Sequence, residues 1–121
     1  MKLLIADDDV DTLRLMRQTF GNDFTIIEKA TSSSAVNAKA DIAILDYMFD
    51  RDMSGADLAV KLREKNPEMK IIIYTAMTGG KHFRDARLVC DRIIQKEIRT
   101  NRIETAVRDL RKEVENGKLD N

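Results

Sequence analysis

Five short apolar runs alternate with amphipathic segments along the chain, and this alternation constrains the fold more than any other feature. The runs are KLLIA (2–6), FTIIEKA (24–30), DIAILD (41–46), KIIIYT (70–75) and RIIQK (92–96). Isoleucine and leucine dominate four of them, which is typical of strands that are covered on both faces in a parallel sheet. We therefore predict a doubly wound α/β fold, in which helices connect the strands through right-handed crossovers.

Helical signals fill the segments between these runs. Apolar residues recur at near-helical spacing after the first run, and Gly21 follows as a stop signal. Ser54 is a suitable N-cap for the segment after the third run, and Pro67 lies just past its end. The segment TSSSAVNAKA is long enough for only about two turns, so the second helix is expected to be short or degenerate. The other predicted helices cover residues 10–20, 55–66, 81–90 and 100–116, and residues 117–121 are expected to fray.

Length and charge narrow the class of protein. A chain of 121 residues is about one domain and buries enough apolar surface to fold without a disulfide. Its 21 basic residues are matched by 21 acidic ones, which removes the electrostatic argument for nucleic acid as a direct partner. The single cysteine, Cys90, is typical of a reducing compartment, and no apolar run approaches the ~18 residues of a membrane span. We therefore expect a cytoplasmic protein that binds neither membrane nor nucleic acid directly.

Acidic residues follow two of the runs. Asp7 and Asp8 end the first run, and Asp46 ends the third. In a doubly wound sheet these two strands are close neighbours, and ligands bind at the carboxyl ends of the strands. Three carboxylates without histidine or cysteine suit a hard divalent cation, above all Mg²⁺, with Mn²⁺ as its substitute. Taken one at a time, the same acids are equally explained as a solvated turn, and Asp9 as an N-cap of the first helix.

Two further strand ends supply a hydroxyl and a cation. Thr75 ends the fourth run and Lys96 ends the fifth. Each alone is an ordinary surface residue, but all the strand ends lie at one edge of the predicted sheet. A carboxylate, a metal ion, a hydroxyl and a lysine together form a site able to accept a phosphoryl group as an acyl phosphate. The glycine-rich loop that nucleotide-binding folds place after the first strand is missing.

Four motifs, in this order and at roughly these separations, resemble those of the receiver domain of bacterial two-component response regulators, of the single-domain chemotaxis type. The motifs are LLIADDDVDTLRLM, DIAILDYMFDRDMSG, IIIYTA and IIQK. The resemblance covers nearly the whole chain and implies a single receiver domain over residues 1–121. It also implies a flavodoxin-like (βα)5 sandwich, with a five-stranded parallel sheet in the order 2-1-3-4-5.

Carried over by position, the resemblance implies a role for each site residue. Asp46 accepts a phosphoryl group from a histidine kinase or a histidine phosphotransfer protein. Thr75 is the switch hydroxyl, and Lys96 pairs with the phosphoryl oxygens. The implied ligands of Mg²⁺ are three carboxylates and one backbone carbonyl, those of Asp7, Asp8, Asp46 and Met48. The expected chemistry is this self-directed phosphoryl transfer and its hydrolytic reversal, so the chain is not expected to be an enzyme acting on a separate substrate.

The chain departs from the family pattern around the site. Asp50 stands where a proline is usual, and the loop after the phosphoacceptor is one residue longer, so the added DRD is expected to be a solvated loop. Glu97 follows Lys96 where the family has a second proline. The aromatic switch residue expected three places before the lysine is Ile93, so the usual coupling of a turning ring to the threonine cannot operate. The short second helix is expected to expose part of one sheet face as a partner surface.

Arginines cluster around the fourth helical segment and the fifth strand, the face that such domains use for output. The candidate output residues are Arg84, Arg87, Ile93 and Arg99. Arginine is enriched at protein interfaces and pairs well with carboxylates, which favours an acidic downstream protein or a self-dimer; a solvated surface with local ion pairs is the alternative. Two functions remain: a switch controlled by phosphorylation, and a receiver-fold interaction module that signals constitutively without it.

Overall fold

A five-stranded parallel sheet forms the centre of the molecule. The computed structural model describes residues 1–76 and 80–119, apart from the side chains of residues 81, 82 and 119. The strands are β1 (Lys2–Ala6), β2 (Thr25–Lys29), β3 (Ile42–Leu45), β4 (Lys70–Thr75) and β5 (Arg92–Gln95). Their order is β2-β1-β3-β4-β5, and every pairing is parallel. The predicted doubly wound, flavodoxin-like fold is therefore confirmed, including the order of its strands.

The helices lie where the sequence predicts them, with differences at their ends. They are α1 (Val10–Phe20), α2 (Ser32–Ala35), α3 (Gly55–Lys65), α4 (Gly80–Arg87) and α5 (Asn101–Leu119). Helix α2 has four residues, as the prediction of a short second helix requires. Helix α4 ends before residue 90 because the N–H groups of Leu88 and Val89 bond to carbonyls three residues back, which tightens the last turn. The fraying of residues 117–121 stays a prediction, and residues 117–119 continue α5. None of the described helices is long and apolar enough to cross a membrane.

Two side chains set the starts of α1 and α3. The carboxylate of Asp9 accepts hydrogen bonds from the N–H of Asp11 at 3.2 Å and from the hydroxyl of Thr12 at 2.8 Å. The hydroxyl of Ser54 accepts one from the N–H of Asp57 at 3.1 Å. Both predicted N-caps are confirmed, and they fix where the chain turns from a strand end into a helix.

Alternate residues of β1 enter two separate cores on opposite faces of the sheet. Leu3 and Ile5 are fully buried with residues of α1 and α5. Leu4 and Ala6 are fully buried with residues of α2 and α3. Side chains of successive strand residues point to opposite faces, so each strand contributes to both cores. The sheet is therefore covered on both sides, as its apolar runs predict.

Phe49, from the loop after β3, is buried on the face of the sheet that α2 and α3 cover. Its side chain is fully buried in the same core as Ala35 of α2 and Leu4 and Ala6 of β1. Leu4 and Ala6 of β1 are therefore covered, whereas Ile27 of β2 on the same face is only partly buried, and the use of this face as a partner surface stays a prediction. A large ring from the β3–α3 loop therefore contributes to the core on this face of the sheet.

An ion pair joins α3 to the edge of the sheet at which the amino ends of the strands lie. The guanidinium of Arg63 contacts the carboxylate of Asp91 and donates to the carbonyls of Met69 and Val89, at 3.3 Å each. The carboxylate of Asp91 also accepts from the N–H of Ile71 at 2.7 Å. One pair of side chains therefore links a helix, the start of β4 and the turn before β5.

Replacing Arg63 with alanine is expected to lower the free energy of unfolding by about 2 kcal/mol, because several hydrogen bonds to a charged group are lost together. Lys61→Ala is the matched control, since Lys61 is an exposed basic residue of the same helix. Urea unfolding followed by circular dichroism measures both variants. Equal stability losses in the two variants would show that only a surface charge of α3 was being removed.

Candidate functional site

Three carboxylates meet at the carboxyl edge of the sheet. The N–H of Asp46 donates to the carbonyl of Ala6 at 3.0 Å, which joins the ends of β1 and β3. Carboxylate oxygens of Asp7, Asp8 and Asp46 all lie within 4.8 Å of one another. Asp7 and Asp46 are buried, whereas Asp8 is exposed. The fold therefore brings together the three acids that the sequence singles out.

Lys96 lies beside two of these carboxylates, directly after β5. Its Nζ is 2.8 Å from Oδ2 of Asp7 and 3.6 Å from Oδ2 of Asp46. The centroid of the Tyr74 ring is 5.9 Å from the same nitrogen, a cation–π contact. Burial by itself lowers the pKa of Lys96, but the hydrogen bond to Asp7 and the charges of Asp7 and Asp46 outweigh it and raise the pKa. Lys96 is therefore a permanent positive charge within the site.

The surroundings of Asp46 disfavour the ionised form of its carboxyl group. Its pKa is raised from the ordinary 3.8 to about 6. Loss of hydration on burial is the main cause, repulsion by Asp7 adds to it, and attraction by Lys96 opposes both. One ammonium group does not balance three carboxylates. An all-oxygen cluster with surplus negative charge fits a hard divalent cation such as Mg²⁺ or Mn²⁺.

Asp9 orients the acidic cluster through its backbone. Its N–H donates to Oδ1 of Asp7 at 2.9 Å, while Lys96 binds the other oxygen of the same carboxylate. Its own carboxylate caps α1, and the hydrogen bond from Thr12 lowers the pKa of Asp9. Sequence reasoning assigned Asp9 to the cap alone. The orienting amide was missed because a residue of any type except proline carries the same N–H.

Thr75 ends β4 at the same edge. It is 4% exposed, and its carbonyl accepts a hydrogen bond from the N–H of Lys96 at 2.8 Å. This bond joins the end of β4 to the residue that follows β5. The structure therefore places the hydroxyl-bearing residue and the lysine side by side, at the sheet edge that carries the acidic cluster.

Gly55 lets the start of α3 pass close to the backbone of Asp46. Its N–H donates to the carbonyl of Tyr47 at 2.7 Å. A Cβ at this position would lie 2.2 Å from the carbonyl oxygen of Asp46, closer than Cβ atoms come to any backbone atom. A larger residue must therefore displace the backbone next to Asp46. Sequence reasoning missed this role, because a glycine after a serine N-cap has no distinctive pattern.

The loop between Asp46 and Gly55 holds the remaining predicted ligand. The side chain of Met48 is 62% exposed, whereas that of the adjacent Phe49 is fully buried. The backbone of Met48 is close enough to the carboxylate of Asp46 to lower the pKa of that group, which partly offsets the effect of burial. Met48 is therefore next to the acidic cluster through its backbone, and its side chain faces solvent.

Asp50 is bound within the protein. Its carboxylate accepts hydrogen bonds from the N–H and hydroxyl of Ser32, at 2.7 and 2.9 Å, and from the N–H groups of Asp52 and Met53, at 3.1 and 3.2 Å. The amide of Ser32 contributes most to the lowered pKa of Asp50. The expectation of a solvated loop is therefore wrong for Asp50, and it holds for the exposed Arg51 and Asp52.

The candidate output residues lie on α4, in β5 and after β5. Three of them are exposed arginines: Arg84, Arg87 and Arg99. Ile93 is partly buried and packs against a small core formed by Tyr47, Ile73 and Ala86. This core includes the residue that follows Asp46 in the chain and a residue of α4. The position of the expected aromatic switch residue is therefore occupied by a branched aliphatic side chain within a packed core.

The fold and the site agree with a match at the level of sequence. A model of the response regulator receiver domain matches residues 3–108 of the chain. The chain belongs to this family. The resemblance predicted from four motifs is thereby confirmed. No curated protein matches the sequence of this receiver domain.

Solved structures resemble this receiver domain over most of its length. A CheY-like response regulator receiver domain protein from Methanospirillum hungatei is 22% identical, with a TM-score of 0.85, over 96% of this chain and 97% of that one. The receiver domain of a putative LuxO repressor protein from Vibrio parahaemolyticus is 22% identical, with a TM-score of 0.85, over 98% and 95%. The response regulator TrrA from Thermotoga maritima is 22% identical, with a TM-score of 0.78, over 90% and 97%. At such identities the likeness supports the fold of this receiver domain.

Proposed function

We propose that this receiver domain is the phosphoacceptor of a two-component or phosphorelay system in the cytoplasm. Asp46 takes the phosphoryl group from a histidine kinase or a histidine phosphotransfer protein. Mg²⁺, or Mn²⁺ in its place, is held by three carboxylates and a backbone carbonyl, those of Asp7, Asp8, Asp46 and Met48. Phosphorylation then shifts an existing conformational equilibrium and changes the affinity for a downstream partner.

The observation that carries this proposal is the acidic cluster with Lys96 against it. The Asp7, Asp8 and Asp46 oxygens lie within 4.8 Å of one another, and Lys96 Nζ is 2.8 and 3.6 Å from two of these carboxylates. A metal ion and a lysine are the groups that neutralise charge in phosphoryl transfer. Two solved structures that resemble this chain support the proposal. TrrA was crystallised in complex with Mg²⁺ and BeF, and the DrrB receiver domain was solved in a BeF₃-activated form.

The residues of this chain divide the chemistry among them. A carboxylate oxygen of Asp46 forms the new bond to phosphorus, the phosphorus–nitrogen bond to the donor histidine breaks, and its electron pair stays on the imidazole. Asp7, held by the amide of Asp9 and by Lys96, keeps one side of the site fixed. The lysine ammonium and the hydroxyl of Thr75 pair with phosphoryl oxygens. The metal ion, when bound, neutralises charge that builds up on those oxygens.

Output is assigned to the face made by α4, β5 and α5. Its candidate residues are Arg84, Arg87, Ile93 and Arg99, and the exposed arginines suit an acidic protein surface or a second copy of the domain. We assign no direct binding of nucleic acid to this domain, since its basic and acidic residues balance at 21 each.

Ile93 favours a second candidate function, a receiver-fold module that binds its partner constitutively. Ile93 is part of a packed core with Ile73 and Ala86, at the position where the family usually carries an aromatic switch residue. An aliphatic side chain in such a core has no ring to turn between an inward and an outward position. The two functions differ in one property, since only the first requires a phosphoryl group on Asp46.

Phosphorylation is tested by intact mass after incubation with Mg²⁺ and acetyl phosphate. A single phosphoryl adduct is expected for the wild-type chain, and none is expected for Asp46→Asn or in the presence of EDTA. Asp109→Asn is the matched control, an exposed aspartate on α5 whose loss should leave the adduct intact. No adduct on the wild-type chain, under conditions that modify another receiver domain, would reject the switch and leave the constitutive module.

A further inference from the structure

Asp50 links the loop after the phosphoacceptor to the start of α2. Its Oδ2 accepts from the N–H of Ser32, while Oδ1 accepts from the hydroxyl of Ser32 and from the N–H groups of Asp52 and Met53. Ser32 is 1% exposed, so its end of this linkage is fixed inside the protein. Both oxygens of the carboxylate therefore accept hydrogen bonds. Oδ2 binds α2 alone, through Ser32, whereas Oδ1 binds Ser32 and also the loop that contains Asp50.

The same loop is fixed at two further points. The carbonyl of Tyr47 accepts from the N–H of Gly55 at 2.7 Å, which closes the base of the loop. Phe49 is fully buried in the core that also contains Ala35 of α2. Met48 lies between these points, and its side chain is exposed. The path of the backbone through Met48 is therefore set by its neighbours in the chain, and its own side chain contributes little.

We propose that Asp50 is a positioning residue for the metal site. By holding the loop against Ser32, it fixes the backbone of Met48, whose carbonyl is the fourth protein ligand under the proposed function on which this inference rests. A carboxylate suits this task because it offers two acceptor oxygens at once.

Asp50→Asn is the most specific test of the linkage between Asp50 and Ser32. It keeps the shape of Asp50 but offers one acceptor oxygen in place of two, so at least one donor from Ser32 or the loop loses its partner. An aspartate carboxylate carries a negative charge at neutral pH, so the wild-type contacts are charge-assisted. Asp52→Asn is the matched control, because it removes the same charge from an exposed residue of the same loop.

The experiment measures Mg²⁺ affinity by calorimetry and the hydrogen exchange of the Gly55 amide without metal. Asp50→Asn is expected to weaken Mg²⁺ binding about tenfold, as loss of a group supporting a metal ligand does. It is also expected to speed exchange of the Gly55 amide, because the loop base opens more often. Asp52→Asn should stay near wild type in both measurements. Ser32→Ala, which removes one of the four hydrogen bonds, should show a smaller change in the same direction.

Each outcome decides the question. Equal weakening of Mg²⁺ binding by Asp50→Asn and Asp52→Asn would assign the effect to loop charge and overturn the positioning role. Wild-type affinity in Asp50→Asn would overturn it as well, even with faster amide exchange. If Asp50→Asn does not fold, Ser32→Ala with wild-type affinity and exchange overturns the proposal. A wild-type chain that binds no Mg²⁺ would reject the proposed function together with this inference, whereas binding by the wild-type chain isolates the role of Asp50.

Discussion

Replacing Gly55 with alanine is expected to slow phosphorylation of Asp46 about 100-fold, because a displacement of about 1 Å is enough to misalign a reacting group. The added Cβ would lie 2.2 Å from the carbonyl oxygen of Asp46 and 2.9 Å from its carbonyl carbon. Both are backbone atoms at the end of a buried strand, so neither can rotate away. We also expect the free energy of unfolding to fall by about 2–3 kcal/mol, the usual effect of overpacking.

The matched control for this substitution is Gly117→Ala. A Cβ at Gly117 in α5 would have no atom within 4 Å. Alanine there is expected to raise the free energy of unfolding by about 0.5–1 kcal/mol, since glycine is a poor helix former, and to leave phosphorylation unchanged. Urea unfolding and the rate of adduct formation with acetyl phosphate measure both variants. A wild-type rate in Gly55→Ala would show that the backbone beside Asp46 shifts without consequence, contrary to the geometry described above.

Asp46→Asn is expected to stabilise the metal-free chain at neutral pH by about 2–3 kcal/mol, from the difference between the folded and unfolded pKa values of Asp46. Burial and repulsion by Asp7 raise the pKa of Asp46 in the folded state to about 6, against 3.8 for the ordinary group. The folded chain therefore binds a proton more tightly than the unfolded chain does. The contribution of Asp46 to the free energy of unfolding is greatest at pH values below 3.8, its pKa in the unfolded chain. This contribution is lost as the pH rises through about 6, its pKa in the folded chain.

Asparagine has no charge to bury, so its advantage should grow between about pH 4 and pH 6 and stay constant above that range. Urea unfolding in EDTA at a series of pH values measures it, with Asp109→Asn as the control for removal of an exposed carboxylate. Added Mg²⁺ should reduce the difference by stabilising the wild-type chain alone. A difference between Asp46→Asn and wild type that does not change across this pH range would contradict the charge repulsion described for the acidic cluster.

The sheet and the acidic cluster could be predicted because short stretches of the sequence contain the patterns that indicate them. The runs that became β1 and β4 have the bounds that hydrophobicity alone assigns to them, and the order of the strands follows from the family pattern. Asp7, Asp8 and Asp46 end strands that are neighbours in any such sheet. The carboxyl ends of neighbouring parallel strands meet at one edge of the sheet. Residues that directly follow such strands in the sequence are therefore close together in the fold.

The roles of Asp50, Phe49 and Gly55 could not be read from the sequence, because each depends on a partner set by packing. Asp50 binds Ser32, the first residue of α2, which lies 18 residues earlier in the chain. Phe49 lies in a loop of the sequence pattern, and only the fold shows that its ring is buried in the core shared by α2 and α3. Gly55 is required by the path of a neighbouring carbonyl, which no composition or periodicity reveals.

The division of the sheet into two cores also limits how this chain can change in length. Leu3 and Ile5 belong to one core and Leu4 and Ala6 to the other, so a residue inserted within β1 would exchange the two sets. It would also rotate Asp7 away from Asp46 and Lys96. An insertion in the loop after β3 leaves the alternation of every strand unchanged, and this loop is the place where the chain is one residue longer than the family pattern. Length variation among sequences of this kind should therefore collect in loops and in α2, and should be absent from the strands.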